Sequence, residues 1–163
     1  MFTHANSELT TDDELTVFMR LGTDYDENYY EIEIPLKITR PANTTDPNKV
    51  WPEANEFDFD LDDLYALKTK RDRDRLSLDE IYTWPTLVGR HTLRILGRPD
   101  LTQVKVIMIG VRNPRTPNKL SHSLCFWANE LRLTDFDRTA GWAINSTVST
   151  KLADFATVTG SLR

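Results

Sequence analysis

Among 163 residues there is a single cysteine, Cys125. That excludes an internal disulfide framework and any zinc site built from paired thiolates. No stretch approaches the ~20 consecutive apolar residues of a membrane-spanning helix. The start, Met1-Phe2-Thr3-His4-Ala5-Asn6, lacks the basic opening, apolar run and small-residue cleavage point of a secretory leader. One reading of that start is a cytoplasmic protein; the other is a piece of a longer chain whose address went with its true N-terminus. Positive charge is not in excess: 20 Lys and Arg face 25 Asp and Glu, a net charge of −5. A chain of that sign repels phosphate backbones, so no nucleic-acid partner is expected. No Gly-x-Ser-x-Gly elbow and no glycine-rich phosphate loop is present, so neither an enzyme nor a cofactor is expected.

What the chain does contain is strand pattern. Leu15, Val17, Met19 and Leu21 alternate with Thr16, Phe18 and Arg20. Tyr30, Ile32, Ile34, Leu36 and Ile38 alternate with Glu31, Glu33 and Lys37, and the two runs are expected to pair as a hairpin. Pro35 donates no ladder hydrogen bond, which predicts an edge position or a bulge. Residues 40–56 read as loop. Asp60 is placed to cap a helix carrying Leu61, Leu64 and Leu67, with Lys68, Lys70, Arg71 and Arg73 at its solvated end. Ser77-Leu78-Asp79-Glu80 has the form of a capping box with room for two turns at most. Residues 91–96 form a further strand. The nearly continuous apolar run at 104–111 predicts a central strand covered on both faces. Residues 124–133 read as a strand in which Trp127 faces the core and Cys125 is a buried thiol.

Candidate chemistry is sparse. His4, His91 and His122 are scattered, without metal-ligand spacing. Asp24, Asp26 and Glu27, then Asp58, Asp60, Asp62 and Asp63, are the acids that could offer calcium its oxygens; neither set follows a calcium-loop pattern. Trp51, Trp84, Trp127 and Trp142 could stack on sugar rings, although core packing is the commoner use.

Beyond Gly141 the pattern changes. Trp142, Ile144, Val148 and Leu152 share a face with Ser146 and Thr150, opposite Ala143, Asn145, Thr147, Ser149 and Lys151. A second alternating segment follows the turn at Ala153-Asp154. Strands of about ten residues with that division are a weak signature of a transmembrane β-barrel hairpin, and a soluble sheet reads much the same.

Four stretches read together: FMRLGTDYDENYYEIEIPLKI at 18–38, VWPEANEFDFDLDDLYALK at 50–68, VIMIGVRNP at 106–114 and WANELRLTDFDRTAGWAINSTVSTKLADFATV at 127–158. In content and order the chain resembles a segment of the SprA (Sov) family. These are very large cell-surface proteins of gliding bacteria that form the outer-membrane translocon of the type IX secretion system. The resemblance implies a fragment, mainly β. Residues 1–136 would be a soluble insertion, and by fold analogy its order of strands, long loop and helix reads as a jelly-roll-like antiparallel β-sandwich with one or two short helices. Residues 137–163 would be the first hairpin of a large outer-membrane β-barrel. Trp142, Ile144, Val148 and Leu152 would then face lipid, and Ser149 and Lys151 the lumen. The implied partners are the rest of the same long chain, other secretion-system subunits, secreted protein cargo and outer-membrane lipid. The alternative is a cell-surface carbohydrate-binding module.

Overall fold

The computed structural model describes residues 1–7, 10–40, 46–85, 88–114, 121–135, 146–152 and 156–162. Its backbone divides into two compact units, residues 1–132 and 133–163. The protein is mainly β, and every pairing between its strands is antiparallel.

In the first unit the strands are β1 (Phe2–Asn6), β2 (Thr16–Gly22), β3 (Tyr29–Pro35), β4 (Tyr82–Thr83), β5 (Thr92–Leu96), β6 (Val106–Arg112) and β7 (Cys125–Asn129). Five of them form one sheet in the order β4-β5-β3-β2-β6, and β1 pairs with β7 in a second. The expected hairpin is present, with Val17 opposite Ile34 and Met19 opposite Ile32. Strand alternation sends Leu15, Val17, Met19, Leu21, Tyr30, Ile32, Ile34, Leu36, Leu93 and Ile95 to one face, where all are buried in a single core.

Two elements cover that core. One is the helix α2, Leu61–Arg73, capped as expected by the Asp60 carboxylate, which accepts from Asp62 N–H. Its Leu64 and Leu67 are buried, and it lies against β5. The other is the β1–β7 sheet, which contributes buried Ala5 and part-buried Phe126, partners across the pair. Buried Asn55 ties β1 to the stretch after β3. Its side chain imitates a strand neighbour, accepting from Lys37 N–H (2.7 Å) and donating to Lys37 C=O (2.8 Å). Its own C=O accepts from the Thr3 hydroxyl (2.8 Å).

Several expectations are corrected. Pro35 is not on an edge strand: β3 lies in the middle of the sheet. Leu36 N–H donates to Leu15 C=O, so at the next position the Pro35 nitrogen points away from β2. It points past the last β3–β5 pair, Glu33 with Thr92, where no ladder bond is due. The 40–56 loop contains a one-turn helix, α1 (Pro47–Val50), capped by Asp46, and a 3-10 turn at Glu53–Asn55. The Ser77 hydroxyl caps Asp79 N–H, but no helix follows. Arg71 is not solvated: it is fully buried, and donates to Gly97 C=O (2.6 Å) and to Asp72.

The largest correction concerns the apolar run. It forms β6, which is an edge strand, and Ile107 on its core side is 49% exposed. Apolar composition on both faces of a strand does not distinguish a covered strand from one awaiting cover. Likewise β7 ends at Asn129, Trp127 is 59% exposed and Cys125 is exposed, because only Phe126 of that strand reaches the core.

In the second unit β8 (Ser146–Leu152) pairs with β9 (Ala156–Leu162).

The Asn55 clamp gives the first prediction. Asn55→Ala leaves two backbone groups of Lys37 without partners and lowers stability by about 2–3 kcal/mol in urea unfolding. A wild-type midpoint would remove the clamp from this account.

Candidate functional site: a charged sheet face and an open edge

The face of the five-stranded sheet away from the core carries a dense polar cluster. It follows from register. Arg20 stands opposite Glu31 across the β2–β3 pair and opposite Met108 on β6, while Glu31 stands opposite Arg94 on β5. Glu33 lies two residues on, on the same face. Glu31, although 2% exposed, accepts from Arg20 Nε (2.8 Å), Arg94 Nη1 (2.9 Å) and Arg112 Nη2 (2.8 Å). Glu33 pairs with Arg94 and Arg112 and accepts from the Thr16 hydroxyl. Burial by itself would raise the Glu31 pKa. Hydrogen bonds from Arg112 and Arg20, with their charges, outweigh it and hold the carboxyl below its ordinary value of 4.5.

Aromatic rings complete the layer. The Arg20 guanidinium lies 4.1 Å from the Tyr29 ring centroid, and that of Arg112 lies 4.8 Å from Phe18. Phe18 is buried over Gly110, its partner on β6; a Cβ there would sit 2.7 Å from Phe18 Cζ. The glycine is therefore the floor on which the ring lies. This arrangement binds its own groups to one another and offers no free nucleophile or general base. Its chemistry is that of a surface.

The sequence-predicted candidates fall elsewhere. Trp142 and Ile144 lie outside the described residues. Val148 and Leu152 are on β8 at positions of one parity, facing Gly160 and Ala156 in register; Ser149 and Lys151 are at the other parity, facing Thr159 and Thr157. The acids weighed for calcium are in part committed to backbone. Asp24 accepts from Glu27 N–H, from the side-chain amide and N–H of Asn28 and from Asp26 N–H, and these bonds hold its carboxyl at about 2. Asp60 caps α2. Among the described residues no three His, Cys, Asp or Glu side chains gather as a metal would require. The three histidines are apart: His4 contacts Val50 C=O, His122 contacts the Thr10 hydroxyl, and buried His91 contacts Val88 C=O. Nor do the tryptophans form a platform among the described residues. Trp51 packs against His4 and Trp84 against the core, while Trp127 is exposed. The arginine layer was missed because Arg94 and Arg112 lie 63 and 81 residues from Glu31. Only the local alternation of Arg20 with Glu31 and Glu33 signalled it.

Two predictions follow from the layer. Because Glu31 has its pKa lowered on folding, its contribution is full above about 4.5 and is lost as pH falls through the lower folded value. Glu31→Gln should thus cost about 2 kcal/mol at neutral pH, with the gap from wild type closing in acid. A gap constant down to about pH 3 would contradict the assignment. Gly110→Ala should cost about 1–3 kcal/mol, a cost that largely disappears in a Phe18→Ala background. Simple additivity of the two substitutions would show that ring and glycine are unrelated.

No curated protein matches the chain. The SprA_N family, described as motility related/secretion protein, matches residues 1–163. With the match running over its whole length, the chain belongs to the SprA family of motility- and secretion-related proteins, to the N-terminal region of that family.

Proposed function

We propose that this chain is a non-catalytic structural segment of an outer-membrane protein-conducting translocon, the type IX secretion apparatus of gliding bacteria. The observation that carries the reading is the family match over residues 1–163. It is supported by a first unit whose sheet-face arginines and glutamates pair with one another, and by a hairpin of two seven-residue strands in the second. In this reading residues 1–136 form a soluble, jelly-roll-like insertion of a cell-surface, outer-membrane protein, its β1–β7 sheet packed over the core face of the larger sheet. Residues 137–163 enter the barrel wall, with Trp142 at the membrane interface, Ile144, Val148 and Leu152 toward lipid, and Ser149 and Lys151 toward the aqueous lumen. Its partners are the rest of the same polypeptide, other secretion subunits, exported cargo and lipid. Its work is steric, shaping and walling a route.

A charge scan in the full-length protein tests this. Val148→Arg should impair membrane insertion by about 2–4 kcal/mol, and Ser149→Arg should have little effect. Equal tolerance at both positions would count against the barrel assignment. Loss of secretion should accompany the first substitution only.

A further inference from the structure

We propose that the arginine-bearing face of the five-stranded sheet is a docking site for a polypeptide partner, and that it takes one partner carboxylate from an aspartate or glutamate set among apolar side chains. The site rests on a charge imbalance. Arg20, Arg94 and Arg112 surround Glu31 and Glu33, so three cations meet two anions and one positive charge is left over. No further acid stands at the strand positions of this face. Both carboxylates are buried beneath the arginines, whose side chains remain 19%, 25% and 33% exposed for Arg20, Arg94 and Arg112. A group arriving from solvent therefore meets the cations and not the anions. The chain as a whole carries −5, so the local excess runs against the charge of the molecule.

Donors for that carboxylate are in place. Arg20 spends Nε on Glu31 and Nη1 on Tyr25 C=O, Arg94 spends Nη1 on both glutamates, and Arg112 spends Nη1 on Glu33 and Nη2 on Glu31. Arg20 Nη2, Arg94 Nε and Nη2, and Arg112 Nε have no acceptor among the described residues. None of the four is sealed, because the only buried side-chain polar atoms without a partner there are the Tyr30 hydroxyl and His91 Nε2. All three guanidiniums touch Glu31, which keeps the free nitrogens close together. Ion pairs hold all three arginines, and rings lie against Arg20 and Arg112. A planar fork already fixed in place loses little freedom when it takes a carboxylate.

The same imbalance selects the occupant. One carboxylate brings the layer to neutrality. A phosphate dianion would carry it past neutrality above two buried carboxylates, and a nucleic acid or an anionic membrane needs an extended run of cations. The border of the site is apolar: Met108 is exposed on this face, and Val106 and Leu96 are half-buried on it. An acid flanked by apolar side chains is a feature of a protein surface, and this inference stands apart from the barrel assignment of the second unit.

The test is a titration of the 163-residue chain with the capped tripeptide Leu-Glu-Leu and its neutral counterpart Leu-Gln-Leu, followed by the Nε–H NMR signals of Arg94 and Arg112. Saturable shifts with a millimolar dissociation constant are expected from the first peptide and none from the second. Thr83 offers a variant that leaves the layer intact, since it is exposed and stands opposite Arg94 on this face. Thr83→Glu brings a carboxylate to the site from within the chain and should weaken binding of the acidic peptide about tenfold, while Thr83→Gln leaves it within about twofold. Absence of any shift at the two arginines, an equal response to both peptides, or unaltered binding by Thr83→Glu overturns the proposal. Tighter binding of inorganic phosphate, or of vesicles containing phosphatidylglycerol, than of the acidic peptide also overturns it, in favour of a phosphate-bearing ligand.

Discussion

Glu31 and Glu33 stand on the central strand of the main sheet, on the face away from the core, and their burial governs how that sheet is built. A carboxylate out of contact with water is costly unless cations and donors surround it. Here three arginines from β2, β5 and β6 converge on the pair, so the polar layer joins four strands while the aliphatic core lies on their other side. Such a layer contributes more to specificity than to raw stability. A slip of one residue in β3 would turn both carboxylates into the core and Ile32 and Ile34 outward. Register is therefore held from both faces.

The aromatic groups serve the same arrangement. Phe18 and Tyr29 lie beneath guanidinium planes, so Arg20 and Arg112 are each fixed by an ion pair on one side and a ring on the other. Gly110 lets the Phe18 ring reach across to β6. On the core face, buried Arg71 binds a loop carbonyl at Gly97 from the last turn of α2. The Tyr30 hydroxyl, by contrast, is buried without a partner among the described residues, and burial pushes its pKa up to about 12.

The first unit thus sets three arginines and two glutamates, paired with one another, on one face of its main sheet and an aliphatic core on the other. That character fits a family of motility and secretion proteins. It also explains why the chemistry-bearing residue types said so little. His4 and His91 contact carbonyls and His122 a hydroxyl, Asp24 and Asp60 accept from backbone N–H groups, and the one cysteine stands exposed on a short edge strand.

Local rules were sufficient for the elements set by periodicity and capping. The β2–β3 hairpin, the core faces of both strands and the helix begun by Asp60 could be read directly, because alternation and caps are properties of neighbours in the chain. The family likeness was legible for a similar reason, in long uninterrupted stretches. Long-range placement was not. Whether the Val106–Val111 run was covered, whether Trp127 met the core, which side of Pro35 lacked a ladder partner and which arginines found Glu31 all depend on strand order. Strand order is decided when distant segments compete to cover one apolar face, and residues 60 or more apart in sequence hold no record of that contest in their own spacing.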